Sequence, residues 1–227
     1  MNAPGAPLRL VAISAGTSDP STTRMLADRA VQATTERLRR SGHDPAVTVV
    51  ELAPIAVGIA QSLVTGFPNA AVQPAIDAVA TADGVVVSTP VYKAGLSGLF
   101  KSFVDLLDND LLIAKPVLLA ATAGSARHAM VVDDHLRPLF AFLRALPAPT
   151  SLFATPEDWA SPGLGTRTSR AAAELAALMT SGITRAITET NWDDHQHNFA
   201  GNATRSPHTA ADVDFDTDLM RLARGDT

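Results

Sequence analysis

Three stretches of this 227-residue sequence concentrate the small and hydroxyl-bearing residues that can approach a ligand closely. The first runs from Ser14 to Arg24 and separates an apolar run from a helical pattern. Free N–H groups at a helix start, with the positive end of the helix dipole, favour an anion there. The hydroxyls of Thr17, Ser21, Thr22 and Thr23 can surround a phosphate without adding formal charge. No Gly-Lys-Ser/Thr follows, so this is not a Walker loop, and the spaced glycines of the dinucleotide fingerprint are missing. Those absences favour a terminal monophosphate over a di- or triphosphate. An ordinary capping loop, with Ser21 or Thr22 as the N-cap, is the competing reading.

The second stretch is Ser88-Thr89-Pro90-Val91-Tyr92-Lys93-Ala94-Gly95-Leu96-Ser97-Gly98, and it holds the chain's only tyrosine. Pro90 stiffens the backbone, and small residues at 94, 95, 97 and 98 let a following helix begin close to a ligand. The third, Ala121-Thr122-Ala123-Gly124-Ser125-Ala126-Arg127-His128, brings backbone N–H groups beside small side chains. Gly124 permits close backbone approach. Ser125 and His128 do not make a hydrolase, since no G-x-S-x-G elbow is present and a three-residue separation is no triad. His128 and His135 read as helix-capping or packing residues. Asp105, Asp108 and Asp110 read as a solvated helix end.

These stretches are punctuation between regular elements. Leu8–Ser14, Val47–Val50, Gly84–Ser88, Pro116–Ala120 and a short segment near Ser151–Phe153 read as strands. Helical periodicity covers the segment carrying Met25, Leu26, Ala30, Val31 and Leu38, then about 70–81, 95–108, 126–145 and 167–189. A loop containing Pro54, Gly58, Gly66 and Pro68 follows the second strand. Strands alternating with helices imply parallel pairing through crossovers. The fold class expected is α/β: a doubly wound five-stranded parallel sheet, order 2-1-3-4-5, with helices on both faces. Such sheets bind ligands beyond the carboxyl ends of their strands, where all three stretches fall.

With its motifs so placed, the sequence resembles the NAD(P)H-dependent FMN reductases of the flavodoxin-like fold over roughly residues 8–190. Three segments carry the resemblance: the Ser/Thr-rich loop at 16–24, the run from Thr89 to Lys101, and Ala121–Ser125 with His128. Gly16-Thr17 stands where many relatives have Gly-Ser, and Asp19 where a basic residue is frequent. The resemblance implies FMN and NADPH or NADH as cofactors, with hydride transfer between them. It implies that Thr17, Ser21, Thr22, Thr23, Thr89, Pro90, Val91, Tyr92, Lys93, Thr122, Ala123, Gly124 and Ser125 bind cofactor. The Thr122–Ser125 loop would approach the pyrimidine edge of the flavin. No catalytic side chain is implied, because hydride passes directly between rings; Arg127 is a candidate for an NADPH phosphate. The full pattern looks most like reductases that supply reduced FMN to a luciferase-like flavin monooxygenase, and it implies a homodimer or homotetramer. Two alternatives stay open: a quinone or azo-compound reductase with bound FMN, and a non-enzymatic flavodoxin-like electron carrier.

Composition narrows the classes further. The chain has no cysteine, which excludes disulfides, thiolate metal sites and redox dithiols. Net charge is −5, with no Lys/Arg stripe to follow a phosphate backbone, so no nucleic-acid partner is expected. No apolar run approaches the roughly 18 residues of a membrane span, and the start lacks signal-peptide character, so the cytoplasm is expected. Seven Asp and three Arg fall within 191–227, which makes that segment an acidic C-terminal tail following a reductase domain at 1–190. Asp212–Asp218 lacks the glycine and glutamate of a calcium loop, and no metal site is expected. Phe215, Leu219, Met220 and Leu222 give the tail an apolar face that could dock; disorder is expected for much of 191–211.

Overall fold

The computed structural model describes residues 7–191. Its strands are β1 (Arg9–Ser14), β2 (Ala46–Glu51), β3 (Gly84–Tyr92), β4 (Gly95–Leu96), β5 (Pro116–Thr122), β6 (Leu146–Pro147) and β7 (Leu152–Ala154). Its helices are α1 (Thr22–Arg40), α2 (Ala56–Thr65), α3 (Gln73–Thr81), α4 (Gly98–Val104), α5 (Arg137–Phe142), α6 (Pro162–Thr180) and α7 (Ile183–Asn191).

The sheet order is β2-β1-β3-β5-β6, with β7 also on β5. Five parallel positions are therefore present in the expected order. The fifth is filled by two short pieces in line: β6 pairs with Pro116 and Val117, and β7 with Ala120 to Thr122. Pro147 and Pro149 lie where one continuous strand would run, and neither has an N–H to give a ladder. Strand β4 is the other addition. It turns back antiparallel on the end of β3, with Val91 opposite Leu96 and Tyr92 opposite Gly95.

Alternation along the central strands sends side chains to both faces, and each face carries its own core. Val11, Ile13, Val85, Val87, Val117 and Leu119 pack with Ile59, Ile76, Phe100, Phe103 and Phe140 on one side. Leu10, Ala12, Val86, Leu118 and Ala120 pack with Leu26, Ala30, Leu164 and Leu175 on the other. Strands buried on both faces read as continuous apolar runs, which β3 and β5 do.

Five expectations are corrected. The loop expected after β2 contains helix α2, because its glycines and proline punctuate rather than break it. Pro54 lies in the 3-10 turn before α2, and Gly66 ends it at φ 79°. Gly58, inside α2, lets Asn69 and Val72 approach to 3.1–3.2 Å of where a Cβ would stand. The helix expected at 95–108 begins only at Gly98, after β4, with Ser97 as its N-cap. The helix expected at 126–145 is a 3-10 turn (Ala126–His128), a π-helical turn (Val132–Leu136) and then α5. Pro138 lacks the N–H that a continuous α-helix would use there. The last helix, expected at 167–189, starts earlier and divides into α6 and α7 at Gly182, φ 72°. Asp108 is buried rather than solvated and accepts from the Asp110 N–H at 2.8 Å, while Asp110 pairs with Arg144. The tail readings, including the anchors Phe215 to Leu222, lie outside the described residues.

Candidate functional site

The carboxyl ends of β1, β3, β5 and β7 open onto one cleft of about 420 Å³. At its first wall, β1 ends in Ser14 and the chain turns through Gly16 to the start of α1. Ser21 is the N-cap of α1, its Oγ accepting from the Arg24 N–H at 3.2 Å. A Cβ on Gly16 would collide with that Ser21 side chain, so only glycine fits beside the cap. Thr22 and Thr23 begin the helix, where their N–H groups have no intrahelical acceptor. Thr17 and Thr22 are exposed at the cleft, and Asp19 is also exposed.

The second wall is the end of β3. Thr89 is fully buried: its hydroxyl accepts from the Ser97 N–H at 3.3 Å and lies 3.1 Å from Ser97 Oγ. Ser97 in turn accepts from the Phe100 N–H at 3.2 Å. Thr89 thus braces the start of α4, leaving Pro90, Val91 and Tyr92 to line the cleft. Lys93 and Ala94 form the tip of the β3–β4 hairpin, both with positive φ (51° and 62°), as a two-residue hairpin turn demands. Lys93 is not part of the cleft lining.

The third wall follows β5. Thr122 and Ala123 line the cleft, and Gly124 has open space where a side chain would stand. Ser125 caps the following turn, accepting from the Arg127 N–H at 3.2 Å, and faces an adjoining recess of about 490 Å³ shared with Gly124. Arg127 is exposed.

Contacts distant in sequence tie these walls together. Tyr92 Oη lies 3.3 Å from Thr17 Oγ1, and Thr23 Oγ1 lies 2.7 Å from Thr122 Oγ1 in a buried pair. Ser88 Oγ donates to the Thr23 carbonyl at 2.9 Å. Ser21 and Thr89 shape the cleft from behind it, and Thr17, Thr22, Tyr92 and Gly124 face it.

A fourth wall escaped the sequence reading. Ala154, Thr155, Pro156 and Trp159, after β7, also line the cleft, as do Gly16 and Ser18. The signal was present: Thr155-Pro156-Glu157-Asp158 is a capping box with proline in its first turn. Asp158 accepts from the Thr155 N–H and hydroxyl, each at 2.9 Å, and from Arg167 at 2.8 Å. The Thr155 N–H and the Arg167 guanidinium hold its carboxyl below the usual carboxylate range. Trp159, on this turn, has the Arg29 guanidinium 5.0 Å from its ring centroid.

The donor set suits a monophosphate attached to a flat ring. Helix N–H groups and hydroxyls gather where β1 meets α1, and Pro90, Val91, Tyr92 and Gly124 add flat or open surfaces to the same cleft. Among the described residues no group of His, Cys, Asp and Glu is arranged to hold a metal, and no helix is long and apolar enough to cross a membrane.

Comparison with known proteins matches this geometry to a family. A family model described as NADPH-dependent FMN reductase matches residues 8–160. The NADH-dependent FMN reductase SfnE of Pseudomonas putida is 40% identical over 171 residues, covering 75% of this chain and 89% of that protein. The crystal structure of an oxidoreductase from Corynebacterium diphtheriae superposes with a TM-score of 0.75 at 40% identity, covering 77% of this chain and 98% of the other. A flavodoxin, WrbA-like protein of Agrobacterium tumefaciens shares the fold at 16% identity, with a TM-score of 0.53 over 80% of this chain and 99% of the other.

Proposed function

The chain belongs to the NADPH-dependent FMN reductase family, on the flavodoxin-like fold, and from that premise we propose how its cleft works as an NAD(P)H:FMN oxidoreductase. The reaction takes NAD(P)H, FMN and a proton to NAD(P)⁺ and reduced FMN. When bound, the flavin supplies a two-electron acceptor for the nicotinamide hydride. The chain's task is to hold two rings at reacting distance and to shape the charge around them.

The observation that carries this reading is the convergence of the β1, β3 and β5 loops, with Tyr92 Oη 3.3 Å from Thr17 Oγ1. The N–H groups at the start of α1 and the hydroxyls of Thr17 and Thr22 receive the flavin phosphate. Ser21 and Thr23 hold that helix start in place. Pro90, Val91 and Tyr92 flank the ring, and Thr89 and Lys93 fix the hairpin presenting them. Thr122, Ala123 and Gly124 bring backbone to the pyrimidine edge, where an N–H favours negative charge as the ring is reduced. Ser125 shapes the turn that follows. No side chain is required as acid or base.

The cleft is open and Tyr92 is half exposed, which supports FMN as an exchanging substrate rather than a locked group. Reduced FMN released this way suits a flavin-dependent monooxygenase of the luciferase-like kind. A homodimer or homotetramer is supported by Val57, Val64 and Phe67, apolar residues exposed along and just beyond α2. The cytoplasm, where reduced nicotinamide nucleotides are made, is the compartment for this chemistry. Within this reading residues 1–190 form the reductase domain and 191–227 an acidic tail.

Purified protein mixed anaerobically with NADH or NADPH tests the assignment. Nucleotide oxidation that rises and saturates with added FMN is the expected result. Oxidation that ignores FMN and requires a quinone would overturn it in favour of a quinone reductase, and bound flavin without turnover would favour a carrier.

A further inference from the structure

The first two turns of α1 carry three charged side chains. Arg24 is engaged by Asp28 at 2.8 Å and also by Glu51. Two carboxylates therefore offset its charge, and Asp19, exposed in the preceding loop, adds another negative group. Arg29 differs from Arg24: among the described residues no carboxylate lies within salt-bridge distance of it, and its guanidinium rests on the Trp159 ring. A guanidinium on an indole face is attracted by the ring quadrupole, which limits its wandering.

Arg29 lies seven positions beyond Thr22, two turns along the same helix face, and helical side chains lean toward the N-terminus. Trp159 meets Arg29 from the 3-10 turn that follows β7. It packs against the α1–α6 core while lining the cleft alongside Thr22 and Thr23. Arg29 itself is not among the cleft's lining residues; its guanidinium rests on the indole that forms part of the wall beside Thr22 and Thr23.

We propose that Trp159 and Arg29 act together as a specificity pair, Trp159 forming the wall at the phosphate end and holding Arg29 as the counter-charge that favours a phosphorylated flavin over riboflavin. The proposal rests on the cleft being the flavin site. It assigns these residues to ligand choice; the ring-binding surfaces around Tyr92 and Gly124 are shared by both flavins. Phosphate carries close to two negative charges at neutral pH, so a fixed cation nearby acts on FMN and is silent toward riboflavin. Because the pair is partly exposed, its effect is screened by salt.

Titration of the full chain with FMN and with riboflavin, followed by quenching of flavin fluorescence, tests the pair without turnover. Arg29→Gln is expected to weaken FMN about fivefold, the scale of one exposed charge contact, while riboflavin binding stays unchanged. Arg29→Lys should restore part of the preference, and 0.5 M salt should reduce the wild-type preference. In a Trp159→Ala background, Arg29→Gln should have little further effect on the FMN-to-riboflavin ratio, since the cation is no longer held. Equal losses for both flavins in Arg29→Gln would overturn the proposal, showing Arg29 to be only a brace for Trp159. An unchanged ratio would overturn it as well. Wild-type protein that binds neither flavin would instead refute the site assignment beneath it.

Discussion

The Thr23–Thr122 pair joins two walls of the cleft across 99 residues of sequence, so its removal should register in both stability and ligand binding. Both hydroxyls are within 5% of complete burial and lie 2.7 Å apart. Thr122→Val keeps the shape but leaves the Thr23 hydroxyl without its partner. A neutral hydrogen bond contributes about 1 kcal/mol net, and a buried group left unpaired costs about 1–3 kcal/mol. Thr122→Val should therefore cost about 1–2 kcal/mol, or roughly 2–8 °C in Tm for a domain of this size. Thr23→Val should cost a similar amount. The double variant buries no unpaired hydroxyl, so its loss should fall short of the summed single losses by about 1 kcal/mol. Urea denaturation of the four proteins measures this coupling, and FMN titration of the same four reads the cleft. Both single variants should bind FMN more weakly, because the α1 start and the β5 loop lose their fixed spacing. Additive stability losses, with FMN affinity unchanged throughout, would show that the pair neither couples the walls nor positions the site.

Tyr92→Ala should weaken FMN roughly tenfold, the scale of one aromatic stacking surface, while circular dichroism and Tm stay near wild type because the ring is half exposed. Lys115 is buried and its Nζ donates to the carbonyls of Val79 (2.6 Å) and Ala80 (2.8 Å) at the end of α3. Lys115→Met fills the space but strands those carbonyls, so a loss of about 1–3 kcal/mol is expected by chemical denaturation, with FMN affinity retained. The depressed carboxyl of Asp158 means that its ionised form stabilises the fold above about pH 4, a contribution lost as pH falls through the native value. In a Trp192→Phe background, Trp159 emission should shift to the red on acidification below about pH 4. Asp158→Asn should give the shifted emission already at neutral pH.

The parallel architecture was legible because burial on both faces forces continuous apolar runs, as in Val85-Val86-Val87 and Val117-Leu118-Leu119, and parallel neighbours require crossovers. The three loops that line the cleft were legible for a related reason: small and hydroxyl residues accumulate in each where its strand ends. Local punctuation was harder to interpret. Pro54 and Gly66 look like loop residues in a linear sequence, yet they flank α2, and nothing local distinguishes a breaker from a cap.

Residue types and order thus determined the winding of the sheet and the rim on which a ligand would sit, since hydrophobic period and strand ends are local properties. Tertiary structure alone decided how the hydroxyls are divided between structure and site. Thr89 and Thr17 are equivalent as sequence, but one turns inward to Ser97 and the other meets Tyr92 across 75 residues. It also brought in Trp159 as a fourth wall and set Arg29 against it, because a contact between residues 130 positions apart depends on how helices pack and leaves no local trace.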